Sequence, residues 1–145
     1  MRRWLLCLAL GLMGPAQAEE KLTPQAYVVD DPELFVDQVL WGIAHGARLL
    51  ALACAQQGHH DAAEAWVEWQ ERESAQILGM NARLGQHYFQ REDVPLDAIV
   101  LALNLKQSLD LPPETLESAC ATLREALAQP RYDLAKRRET LLKHD

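Results

Sequence analysis

The sequence predicts an all-α fold: a four-helix, antiparallel bundle-like domain with a short extra C-terminal helix, stapled by one disulfide. Three observations carry this expectation. Apolar residues recur at three- and four-residue spacing in four successive segments. No stretch of any length alternates apolar and polar residues as a half-buried strand does. Clusters of Gly, Pro and Asp punctuate the segments where helices start and stop.

Residues 1–18 precede the fold. Arg2 and Arg3 are followed by an apolar run from Trp4 to Met13 and then by Ala16-Gln17-Ala18. A positive start, a short apolar core and small residues at the end make a secretory signal peptide, cut after Ala18. The run is too short to span a bilayer. Export to the periplasm, or secretion, is therefore expected. About 127 residues remain, which suits one domain with its own core. Residues 19–31 read as a leader, with turn chemistry around an extended piece, Tyr27-Val28-Val29,. Residues 32–145 form the single helical domain.

The first helix is expected over Pro32–Gln57. Asp31 is its N-cap and Pro32 its first helical residue. Residues 39–55 are apolar nearly all round, which marks a central core helix. Gly42 and Gly46 form a small-xxx-small pair, which predicts a neighbouring helix at close range. Gly58 ends the helix as a C-terminal glycine does. The second helix is expected from a cap at Asp61 to about Phe89. Ala62, Ala65, Trp66, Trp69, Ile77, Met80, Leu84 and Tyr88 make its apolar stripe, and Glu64, Glu68 and Glu71 lie on its other face. Glu68 and Arg72 have the favourable i, i+4 order for an ion pair. The third helix is expected over Pro95–Leu109, capped by Asp93. The fourth covers Pro113–Ala128, and a short basic one covers Tyr132–Lys143.

The stretch Leu50–Gly58, followed by Ala63 and Val67, resembles the helix–turn–helix junction of a tetratricopeptide repeat. The likeness covers about twenty residues and occurs once. It implies a tight α-hairpin at this point. The exported, helical, disulfide-stapled design as a whole is also similar to small periplasmic immunity proteins and helical metal-stress sensors.

Cys7 leaves with the signal peptide, and Cys54 and Cys120 remain. In an oxidising compartment an even pair predicts a disulfide. It would close a loop of about 65 residues, for which the chain-entropy model gives roughly 4 kcal/mol. The chain carries 14 basic and 21 acidic residues, a net charge of −7. Loss of Arg2 and Arg3 makes the exported form more acidic still. Such a balance argues against nucleic acid and against anionic lipid as partners.

The sharpest chemical cluster is His59, His60 and Glu64. Imidazole and carboxylate at this spacing suit one divalent transition metal, with His87 or Met80 as further ligands. Trp41 lies off the main stripe of its helix, and an exposed Trp is a good interface anchor. His45 sits on the buried helix near Arg48 as a core histidine. Ser74, Ser108 and Ser118 lie in no nucleophile motif, and the paired carboxylates lack the context of a glycosidase. The expected function is therefore non-enzymatic: binding of another envelope protein through a surface that includes Trp41, in an adaptor, accessory or immunity-type role. The alternative is a periplasmic metal-binding protein built on His59, His60 and Glu64. No cofactor is expected in the first reading.

Overall fold

The computed structural model describes residues 27–144. The signal-peptide reading and most of the leader lie outside the described residues. Six α-helices run through those that are described: α1 (Pro32–Gln56), α2 (His60–Arg72), α3 (Ser74–Phe89), α4 (Leu96–Ala102), α5 (Pro113–Leu127) and α6 (Leu134–Leu142). A 3₁₀ turn, Pro130–Tyr132, precedes α6. Among the described residues there is no strand.

The central position falls to α1, on which α2, α3, α5 and α6 all pack. Its start is as expected: the Asp31 carboxylate accepts from the Leu34 N–H at 3.1 Å, with Pro32 at the first position,. Length and apolar content alone would also suit α1 to a membrane span. In this fold the same residues face four helices, and Asp37, Gln38 and His45 are buried within it. Its end follows from backbone geometry. Gly58 has φ +84°, the His59 N–H donates to the Cys54 carbonyl at 2.9 Å, and the Gly58 N–H to that of Ala55 at 3.0 Å. This pair of bonds is a Schellman closure, and glycine takes its left-handed residue at no steric cost. The expected tight hairpin between α1 and α2 is formed around it.

Several expectations are corrected. The single second helix is two, because the rod breaks at Glu73 (φ −92°, ψ 4°). Glu73 is buried, and its carboxylate accepts from the Leu134 N–H at 3.1 Å. The bend thus supplies an acceptor to the start of α6. The third helix is much shorter than its apolar run. Asn104 takes a left-handed conformation (φ 50°) and closes α4 by bonds from Leu105 to Val100 and from Asn104 to Leu101,. Asp61 lies inside α2, and Asp93 lies before α4 in an ion pair with Arg91; neither is a cap. Glu68 does not pair with Arg72. It accepts from Arg124 of α5 at 2.7 Å, across the helix interface.

The glycines also redistribute. A Cβ added at Gly42 or Gly46 meets nothing within 4 Å, so the small-xxx-small pair marks no close helix approach. The close approach is at Gly85, where a Cβ would lie 2.6 Å from the Arg91 carbonyl oxygen and 2.9 Å from Val94. The core gathers Leu40, Trp69, Met80, Leu84, Ile99, Leu103, Leu123 and Leu134, all essentially inaccessible to water. Each contributes roughly 1.5–3 kcal/mol of burial. Cys54 and Cys120 form the expected disulfide between α1 and α5, with 5.5 Å between their Cα atoms.

Two stability outcomes are expected. Reduction of Cys54–Cys120 lowers the melting temperature by on the order of 10 °C, read in a non-reducing against a reducing melt. Gly46→Ala raises stability by about 0.5–1 kcal/mol, whereas Gly85→Ala lowers it by about 1–3 kcal/mol through overpacking; urea titration of both variants measures the two signs.

Candidate functional site

One face of α1 carries Trp41, Ala44, His45 and Arg48, at the i, i+3, i+4, i+7 spacing that keeps side chains together. Across from it α2 sets Trp66, Trp69 and Gln70 by the same rule. Ile77 of α3 and Leu96 of α4 close the ends. These nine residues line a cleft with about 400 Å³ of empty volume, part of it open solvent.

Trp41 is 4% exposed and stacks on His45, with 5.5 Å between ring centroids. The expectation that Trp41 stands out from the surface is therefore corrected. It turns inward and forms the wall of the cleft. The Trp69 ring lies in the core, and its Nε1–H donates to the Tyr132 carbonyl at 2.9 Å. Trp66 is only half-buried as a residue, yet its Nε1 is out of reach of water and has no partner. His45 Nε2 lies 2.7 Å from the Lys106 carbonyl oxygen. A carbonyl only accepts, so Nε2 carries the hydrogen and donates. Nδ1 is then the free position, and it has no partner.

Arg48 differs from most of the described arginines. Arg72, Arg83, Arg91, Arg124 and Arg138 each pair with a carboxylate. Among the described residues no carboxylate lies within ion-pairing distance of Arg48, although it is half-buried. No acidic residue lines the cleft at all.

Apolar surface continues on both sides. Gln70 and Ile77 are shared with a groove between α2 and α3 that includes Val67 and Leu78. His45 and Arg48 are shared with a second groove that includes Leu52, Leu101 and Asp97. Leu78, Val67, Leu52 and Leu96 are all well exposed, Leu78 at 68%.

The metal cluster does not assemble as expected. His59 bonds to Glu117 of α5 at 2.9 Å. His60 and Glu64 are exposed on α2. His87 lines a groove with Asp31 and Glu33 at the far end of α1, about 35 Å from His59 by the rise of that helix. Met80 is fully buried in the core. Among the described residues no group of three His, Cys, Asp or Glu side chains is placed to hold a metal ion.

A second polar centre lies near the start of α1, and no periodic signal in the sequence marks it. Asp37 is fully buried. Its carboxylate takes two bonds from Arg83, at 2.6 and 3.0 Å, and one from Arg138 of α6. Arg138 also reaches Glu33 at 3.3 Å. Hydrogen bonding to Asp37 is the main cause that raises the Arg83 guanidinium above its ordinary value. Beside it, Gln38 makes three bonds: its amide pairs with both the N–H and the carbonyl of Val28, and its oxygen accepts from the Tyr88 hydroxyl at 2.6 Å. Burial raises the Tyr88 phenol above its ordinary range, with Tyr27 adding to it. No buried side-chain polar atom of Asp37 or Gln38 lacks a partner, which makes this centre a fastener of the fold.

Comparison with known protein families, with curated proteins and with solved structures finds no match for this chain.

Asp37→Asn is expected to cost about 2–3 kcal/mol, the scale of hydrogen bonds to a charged group. Arg124→Ala is expected to cost under about 1 kcal/mol, since that pair is exposed. Chemical denaturation of the two variants side by side tests the contrast.

Proposed function

We propose that this is an exported, non-enzymatic helical protein that acts by binding another protein of the envelope, in an adaptor, accessory or immunity-type role. The observation that carries the reading is the three-tryptophan cleft with exposed apolar residues on both flanks. Monomeric proteins seldom leave such surface contiguous without a use, and pockets walled by Trp and Arg are where interface energy concentrates. The partner docks across α1, α2 and α3, with an apolar anchor in the cleft and further contacts at Val67, Leu78 and Leu52. In this reading Trp41 contributes as a wall of the anchor pocket.

The disulfide supports export, because such bonds persist in oxidising compartments. The signal-peptide pattern of residues 1–18 supports it independently. The packing of four helices on α1 supports a soluble form after cleavage, with α1 as a core helix.

Affinity capture from envelope extract at near-physiological salt tests the reading. The wild-type protein is expected to recover a partner, and Leu78→Asp to lose it by at least tenfold. Leu78 is exposed, so this change leaves the fold intact. No partner with wild type, or equal recovery with the variant, overturns the proposal.

A further inference from the structure

We propose that the occupant of the cleft is the last residue of the partner chain: an apolar side chain with its free α-carboxylate. This inference rests on the docking reading above and specifies what docks. Among the described residues, three polar features of the cleft walls lack a protein partner. Arg48 is a cation with no carboxylate among the residues lining the cleft. Trp66 Nε1 is a donor without an acceptor, and His45 Nδ1 is the free ring position opposite a bonded Nε2–H. In the neutral ring that free position is an acceptor. The walls of the cleft therefore hold a planar fork of donors, one further donor and one acceptor, the last two covered in the unliganded form, around an apolar floor.

A C-terminal apolar residue is the complement of that set. Its carboxylate accepts from the Arg48 fork and from the Trp66 indole N–H. Its own amide N–H donates to His45 Nδ1. Its side chain fills the aromatic floor. A simple apolar acid has the carboxylate but no amide donor for His45. An internal segment of a chain has amide donors but no charge for Arg48. Charge selection points the same way. In a chain of net charge −7, this cleft is lined by Arg48 and His45 and by no carboxylate. Asp97 lines the adjoining groove and not the cleft. The apolar groove past Ile77 and Gln70 leads away toward Val67 and Leu78, which gives the preceding residues of the partner a path. The two orphan atoms are closed to water in the unliganded form, so seating the ligand requires a side-chain adjustment of the kind common at interfaces.

The test is an NMR titration of the oxidised, ¹⁵N-labelled protein, read at the indole N–H of Trp66. The probes are N-acetyl-Ala-Ala-Leu as the free acid, the same peptide as its C-terminal amide, and 4-methylpentanoate. The backbone N–H of Leu134, bonded to Glu73 outside the cleft, reports that the fold is unchanged. The free acid is expected to move the Trp66 signal and to bind at least tenfold more tightly than the amide or 4-methylpentanoate. In Arg48→Gln the advantage over the amide is expected to vanish, and in Arg48→Lys to fall partway. Equal binding of acid and amide to the wild type overturns the inference, and needs no variant. Equal binding of 4-methylpentanoate overturns it in favour of a small apolar acid. No shift with any probe at millimolar concentration overturns it as well. In each of these cases loss of the envelope partner in Leu78→Asp still upholds the docking reading, so the two fail separately.

Discussion

A helix that is apolar nearly all round must be enclosed, and α1 imposes this on everything after it. One surface helix of a small domain hides a single stripe. Here α2, α3, α5 and α6 are all drawn onto α1, and the rest of the chain is arranged to let them reach it. The break at Glu73 serves this end, since one straight rod from His60 to Phe89 would be about 45 Å long and could not stay against α1 and also meet α6. The buried Glu73 carboxylate then holds the first turn of α6 at the bend.

Enclosure makes polar groups on α1 expensive unless they are paired. Its two ends solve this differently. At the N-terminal end Asp37 and Gln38 bind Arg83, Arg138, Tyr88 and Val28, so they gather both described ends of the chain and α3 around one turn of helix. At the C-terminal end there is no buried charge, and the Cys54–Cys120 bond ties α1 to α5 covalently. The middle turns, from Trp41 to Arg48, have neither device. That is where the helices part and the cleft opens.

Much of this was legible in the sequence, for reasons of short range. The Asp31–Pro32 start, the Gly58 stop, the helical character of every segment and the disulfide all depend on local chemistry or on simple pairing. What was missed depends on contacts far apart in the chain. Asn104 ends α4 inside an apolar run, and a left-handed Asn is a weaker signal than Gly. Glu73 looks like a surface residue until Leu134, 61 residues later, claims its carboxylate. Arg124 outcompetes Arg72 for Glu68 because a cross-helix partner can be better placed than one on the same helix. Trp41 was expected outside because it lies off the main stripe of its helix; its neighbours come from α2 and from His45 one turn on. The further ligands that the metal reading named lie apart from His59 and His60: His87 at the other end of α1 and Met80 in the core.

The cleft stands out by how it departs from the rest of the fold. An unpaired buried donor or acceptor costs about 1–3 kcal/mol, and native chains pair nearly all of them. Among the described residues three such side-chain atoms remain, on His45, Trp66 and Asn81. Two of the three belong to walls of one cleft, and the half-buried Arg48 belongs to it too. The same chain satisfies Asp37, Gln38 and Glu73 completely, so it has the means to pair what it buries. Departures from pairing that cluster in one concave, aromatic place are what a binding site looks like before its ligand arrives. In the proposed reading the stability lost there is recovered when a ligand supplies the missing partners, which ties affinity at the cleft to the pairing that the unliganded protein forgoes.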